Sequence, residues 1–192
     1  FDYARYEVTM KTILITGGTG KLGKIFVTHF AKNGWRVVIT SSSQSSAEDF
    51  KASLPNDKNI YIFISDLSKP NAAKKLLEAI LAEGILINHL VNNARSLKSL
   101  AVGNDGFSSR ENMAQEYLLD VIVPYELATG LYLLQREALT TITNIGSMYG
   151  SVAANPDLYE GDLKQSPIQY GVAKAGLQHL TKELAIRFSK DN

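Results

Sequence analysis

Tyr170 and Lys174 stand four residues apart, a spacing that on a helix projects both side chains from one face, roughly 6 Å apart. A tyrosine hydroxyl exchanges protons near neutral pH when a neighbouring cation favours its phenolate, and Lys174 is such a cation. Ser147 stands at the end of an expected strand, where its hydroxyl can hydrogen-bond a substrate oxygen and orient it. The three together could move a proton on or off an oxygen borne by carbon. Alone, a Tyr and a Lys at this spacing are better read as an exposed pair. What favours chemistry is a second stretch, 140 residues and more upstream, built to hold a phosphorylated cofactor.

That stretch is 11–23, KTILITGGTGKLG. Ile13, Leu14 and Ile15 read as a strand buried on both faces. The glycines that follow are too dense for a helix interior. From Leu22 the apolar positions Leu22, Ile25, Phe26 and Phe30 fall at helical spacing, and Asn33-Gly34 supply a stop. Strand, glycine turn and helix N-terminus make an anion site, because bare amides face the turn and no side chain keeps a pyrophosphate away. Gly17, Thr19, Gly20, Lys21, Leu22 and Gly23 are the candidate cofactor-binding residues of this turn.

The remaining elements alternate. Strands are expected at 35–39, 60–64, 85–91 and 140–145, and helices at 46–53, 71–83, 111–136 and 167–189. This order predicts an α/β fold, a doubly wound parallel sheet in a three-layer Rossmann-type arrangement. The second strand ends in Thr40-Ser41-Ser42-Ser43, where an acid would bind the adenosine ribose of NAD; with none there and Lys21 in the glycine turn, NADP is favoured over NAD. Ser41 and Ser42 are the candidates at that place. Asp66, followed by Leu67, would reach the adenine edge or else cap the next turn. Positions 95–110 read as a mobile loop. The long helix is expected to bend at Pro124, with Tyr117, Leu118, Val121, Ile122, Tyr125 and Leu131 on its apolar face. Leu177, Leu180, Leu184 and Phe188 give the last helix its stripe.

Composition sets limits. A chain of 192 residues with 45% hydrophobic content can bury one sizeable core, and 10–192 is expected to be one NAD(P)-binding domain. Twenty basic against nineteen acidic residues indicate neither a nucleic-acid surface nor a polybasic membrane patch. Cysteine is absent, so disulfides and thiolate chemistry are excluded. No metal-ligand set and no unbroken apolar run of bilayer length are read, and a cytoplasmic protein acting on a small molecule is the expectation. Met10 stands directly before the first strand, which marks 1–9 as a leader or remnant.

The glycine turn, Asp66-Leu67, Asn92-Asn93-Ala94 and the Ser147, Tyr170, Lys174 set occur in one order from Met10 onward, and in that order the chain resembles the short-chain dehydrogenase/reductase family. The resemblance implies that Asn93 and Ala94 border the cofactor, that Tyr170 and Lys174 also touch it, with Lys174 on the nicotinamide ribose, and that the long helices pair subunits into a homodimer or homotetramer. It implies two further strands beyond Asn192. Three departures stand out. The glycines fall as Gly17-x-x-Gly20-x-x-Gly23, the spacing of the family's extended branch; Arg95 replaces a glycine after Asn-Asn-Ala; and Ile122 falls where an asparagine usually holds a relay water. Asn112 and Gln115, more than a turn upstream, are unsuited to substitute for that asparagine.

The 22 residues between Ser147 and Tyr170 form a polar insertion that should shape the substrate pocket. SMYG, PDLYEG and PIQYGVAK look like members linked to bacterial surface-polysaccharide and flagellin-glycan synthesis, which implies a sugar or nucleotide-sugar substrate. The expected function is hydride transfer between nicotinamide and a carbonyl or hydroxyl carbon. Two alternatives are a nucleotide-sugar epimerase or dehydratase, which the glycine spacing favours, and a non-catalytic NADP-binding regulator, marked by Ile122.

Overall fold

The computed structural model describes residues 10–54, 58–155, 157 and 166–189. The leader 1–9 and most of the second half of the polar insertion lie outside the described residues.

Alternation inside β1 (Thr12–Ile15) sets the layers. Its four residues are all buried, with Ile13 and Ile15 packed on one side of the sheet and Leu14 on the other. The strand therefore needs helices on both faces. β2 (Arg36–Ser41), β3 (Ile60–Ile64), β4 (His89–Asn92) and β5 (Thr141–Asn144) join it in one parallel sheet of order β3-β2-β1-β4-β5. Helices α1 (Lys21–Lys32) and α2 (Gln44–Ala52) cover Ile13, Ile15, Val37 and Ile39 through Val27, Phe26, Phe30 and Phe50. On the other face α3 (Ala72–Ala82), α5 (Val123–Gln135) and α6 (Ile168–Phe188) cover Leu14, Val38 and Leu90 through Leu76, Leu77, Ile80, Leu127, Leu131 and Leu184. The expected doubly wound sheet is present.

The winding reverses between β1 and β4, so a crevice opens beyond their C-terminal ends, the place where open α/β sheets bind ligands. The glycine turn leaves β1 at this crevice and Asn92-Asn93-Ala94 leaves β4 at it.

Several expected boundaries move. The fourth strand begins at His89 rather than Ile85; just before it, Asn88 joins its neighbours through backbone and side chain, its amide donating to the Thr12 carbonyl at 3.0 Å, its Oδ1 accepting from the Thr12 amide at 2.8 Å and its Nδ2 donating to the Ala138 carbonyl at 3.0 Å. On α1 the buried residues are Gly23 and Val27, whereas Leu22 and Ile25 face outward. The loop 95–110 is tied down: Gln169 donates to the carbonyls of Ser99 and Ala101, and Asn112 donates to Ala101.

The long helix departs most. It consists of α4 (Arg110–Tyr117), a π-helical turn at Leu118–Ile122 and α5, with Pro124 in the first turn of α5. Pro124 has no N–H for the carbonyl four residues back, and the wider turn absorbs that loss. The extra residue rotates the face: Leu119, Asp120, Val121 and Val123 are buried, while Tyr117, Ile122 and Tyr125 are exposed. By length and composition 110–135 could cross a membrane, but here it packs on α3 and α6 in the core. A groove of about 320 Å³ between β5 and the end of α6 contains none of Ser147, Tyr170 and Lys174.

Candidate active site

The glycine turn is fixed by close backbone approach. Gly17 has φ +64°, and a Cβ there would stand 2.9 Å from Ala94 Cα. At Gly23 it would stand 2.3 Å from the Gly17 carbonyl oxygen, and at Gly18 2.5 Å from Ile39 Cβ. Gly18, absent from the expected set, is thus as constrained as its neighbours, and its signal was only the unbroken TGGTG. Gly20 caps α1 without a side-chain hydrogen bond, so the first amides of the helix, Lys21, Leu22 and Gly23, have no capping side chain. Lys21 and Leu22 are exposed at this end.

Asn93 and Ala94 hold that turn from the β4 side. Both amides donate to Thr16 Oγ1 at 2.9 Å, and Asn93 Nδ2 donates to the carbonyls of Thr16 at 2.9 Å and Gly17 at 3.2 Å. The amide side chain of Asn93 is spent on the protein's own backbone. Its part in the crevice is to set the shape of the turn.

The hydroxyls after β2 divide. Thr40 Oγ1 accepts from the Gly17 amide and is buried. Ser41 is not in a loop, as expected, but is the last residue of β2, 2% exposed, its hydroxyl engaged by Thr19 and by Ser43. Ser42 is the exposed one. Asp66 accepts from the amide and hydroxyl of Ser68, which hold its carboxyl below the usual range, so the capping alternative is realised on one of its oxygens. Leu67 packs its side chain into the core.

Tyr170 and Lys174 lie one turn apart on α6, with the Lys174 Nζ 5.8 Å from the Tyr170 ring centroid. Ser147 caps a 3-10 turn, Met148–Gly150, its Oγ accepting from the Tyr149 amide at 3.2 Å. Two glycines press this turn onto α6: a Cβ on Gly150 would meet the Lys174 carbonyl at 2.9 Å, and one on Gly171 would meet the Tyr149 carbonyl oxygen at 3.0 Å. The Gln178 amide also donates to the Ser147 carbonyl. The three residues expected to carry chemistry are therefore brought onto neighbouring, tightly packed elements.

The expectation for Ile122 is overturned. Ile122 is 38% exposed, and the residue that reaches Lys174 is Asp120. Lys174 Nζ donates to Asp120 Oδ1 at 3.1 Å and to the Ile145 carbonyl at 2.8 Å. The π-helical turn displaces the helix face, and Gly176 lets α6 approach it, Val121 standing 3.2 Å from where a Cβ would be. Burial pushes the Asp120 carboxyl above its usual range, with Lys174 pulling the other way.

A second buried acid adjoins. Glu116, 1% exposed, pairs with Arg95 at 3.6 Å and accepts from Ser99 Oγ. Burial raises its carboxyl, and the charge of Asp120 adds to that rise. Arg95 in turn lies over the ring of Tyr170, 4.5 Å from its centroid. Arg95, Glu116 and Asp120 were not among the expected site residues. The glycine-to-arginine departure at Arg95 was the one visible signal.

The family model for short chain dehydrogenases matches residues 11–192. A short chain dehydrogenase/reductase of Gibberella zeae is 30% identical over 177 residues, covering 91% of this chain and 63% of that protein. The 7alpha-hydroxysteroid dehydrogenase of Bacteroides fragilis is 26% identical over 195 residues, covering 95% of this chain and 67% of that protein. Among solved structures, the Pseudomonas aeruginosa RhlG/NADP active-site complex superposes with a TM-score of 0.79 at 22% identity, covering 94% of this chain and 68% of that one. The chain spans about two thirds or less of the length of these two curated relatives. With a family match running nearly end to end and the same sheet, turn and tyrosine–lysine helix in place, the chain belongs to the short-chain dehydrogenase family.

Proposed function

We propose that the whole protein is an NAD(P)-dependent oxidoreductase acting on a carbonyl or hydroxyl carbon of a small molecule. The observation that carries this reading is Lys174: a lysine 5% exposed, held by Asp120 and the Ile145 carbonyl, one turn from Tyr170 beside the crevice. A buried, anchored ammonium next to a phenol is a costly arrangement for structure alone and a useful one for proton transfer.

The crevice suits a dinucleotide. Gly17, Gly18 and Gly23 let the turn close tightly on Ala94, Ile39 and the Gly17 carbonyl, and the uncapped amides of α1 offer donors to a pyrophosphate. Lys21, Ser42 and the absence of an acid at 40–43 favour a 2′-phosphate, hence NADP. When bound, the nicotinamide supplies or accepts the hydride. Tyr170 gives its proton to the substrate oxygen in reduction and takes it in oxidation. Lys174 favours the phenolate and holds the cofactor's ribose. Ser147 donates to, and so orients, the same substrate oxygen.

For substrate we infer a keto-sugar or nucleotide sugar, as in surface-polysaccharide or flagellin-glycan synthesis. Its support is the polar sequence between Ser147 and Tyr170. An epimerase or dehydratase would use the same residues and return its cofactor unchanged. The regulatory alternative loses its marker, because Ile122 is not the residue facing Lys174. A homodimer or homotetramer belongs to the same reading, favoured by exposed Tyr117, Tyr125, Leu133 and Leu134 along α4 and α5. The test is NADPH oxidation by the full natural chain against a panel of keto-sugars and cyclic ketones. Turnover of one class above the rest supports the reading; tight NADPH binding without turnover of any carbonyl contradicts it.

A further inference from the structure

Lys174 divides its charge between Tyr170 and the protein interior. Its ammonium protons go to Asp120 Oδ1 at 3.1 Å and to the Ile145 carbonyl at 2.8 Å, both inside the protein, where an opposite charge at hydrogen-bond distance cancels much of the field. The asparagine usual in the family would accept a hydrogen bond without that cancellation.

A second cation stands nearer the centre of the ring. The guanidinium carbon of Arg95 is 4.5 Å from the Tyr170 ring centroid, against 5.8 Å for Lys174 Nζ. Arg95 occupies the place of the glycine that usually follows Asn-Asn-Ala, so this contact arises from the same departure noted in the sequence. It is held over the ring by Glu116 at 3.6 Å, a contact that meets the distance of an ion pair but is not a hydrogen bond. Glu116 is fixed by Ser99 Oγ, and the Ser99 carbonyl accepts from Gln169, the residue before Tyr170. The bracket thus begins and ends on the element that bears the tyrosine.

We infer that Arg95 is a second cation serving Tyr170, needed because Asp120 offsets part of the charge of Lys174. The inference rests on Tyr170 being the proton-exchanging group. Arg95 acts through Tyr170 and is a positioning residue. Among the described residues, the charged groups placed at the Tyr170 ring are Arg95 from the loop after β4 and Lys174 from α6, the first paired with Glu116 of α4 and the second with Asp120 of the π-helical turn. The two ion pairs compensate each other: removing Asp120's charge should make Arg95 dispensable.

The test is a kcat profile against pH in the full natural chain with NADP(H). Arg95→Met should move the midpoint of the profile to higher pH and lower kcat near neutrality by roughly tenfold, the size of one partly buried cation–π contact, with KM little changed. Arg95→Lys should keep most of the wild-type profile. Adding Asp120→Asn to Arg95→Met should bring the midpoint back. An unmoved midpoint in Arg95→Met, or no recovery in the double variant, overturns the inference. Tyr170→Phe separates the two levels: lost turnover beside an unmoved Arg95→Met profile sinks the second cation alone, whereas retained turnover sinks the tyrosine mechanism and this inference with it.

Discussion

Asp120 Oδ1 accepts a hydrogen bond from Lys174 Nζ at 3.1 Å, and both side chains are almost wholly removed from solvent. Removing one partner of such a pair strands the other charge, which typically costs about 3–5 kcal/mol. Asp120→Ala should therefore lower the unfolding free energy by about that amount in denaturant melts. Asp120→Asn keeps an acceptor oxygen beside the ammonium and should cost less. Ile122→Asn, on an exposed side chain, should change stability by no more than about 0.5 kcal/mol and leave turnover as it is.

The glycine turn predicts a binding defect. Gly23→Ala places a Cβ 2.3 Å from the Gly17 carbonyl oxygen, and Gly17→Val adds a branched side chain at φ +64°. Neither neighbour is a flexible tip that can move aside. Calorimetric titration should show NADP(H) affinity falling at least tenfold in both variants, and unchanged affinity in both would remove the cofactor from this turn.

Cofactor choice should be tested at Ser42 rather than Ser41. An aspartate at Ser41 would be buried against Thr19 and Ile64 and would act first on folding. Ser42→Asp sits in solvent, where its charge repels a 2′-phosphate and leaves NADH untouched. The ratio of NADPH to NADH affinity should fall by about tenfold or more. An equal effect on both cofactors would contradict the assignment.

Burial holds the carboxyls of Glu116 and Asp120 above their usual range, so the folded state binds protons that the unfolded state has already released. Their contribution to stability is full below the ordinary carboxylate range, about pH 4, and is lost as pH rises through the raised folded values. Unfolding free energy measured from pH 4 toward neutrality should therefore carry a declining component from these two groups. Glu116→Gln should flatten the profile, and an unaltered slope would mean that Glu116 titrates normally.

The sheet was legible because β1 to β4 centre on short apolar runs, β5 is rich in β-branched residues, and the alternation of strand with helix leaves few topologies. The fourth strand was overextended because Ile85 and Ile87 are buried without being in the sheet; hydrophobicity reports burial, and Asn88's side-chain pairing is invisible in it. Tyr170, Lys174 and Ser147 could be singled out because fixed spacing on one helix and a strand end are visible in sequence, and the structure brings them onto neighbouring elements. Asp120 was missed because the family's pattern was matched with its asparagine at Ile122, whereas the π-helical turn brings Asp120 to Lys174 and leaves Ile122 exposed. Glu116 gave no signal, since a lone glutamate in a helix is ordinarily solvated; its burial depends on Arg95 and Ser99, distant in sequence.

The central claim is that Tyr170 exchanges the proton. Tyr170→Phe keeps the ring under Arg95 and the packing of α6 while removing only the hydroxyl. With a substrate identified from the carbonyl panel, kcat should fall by about 10²–10⁴, the usual worth of general acid–base assistance, with NADP(H) affinity close to wild type and KM little altered. Full turnover by Tyr170→Phe on that substrate would contradict the account.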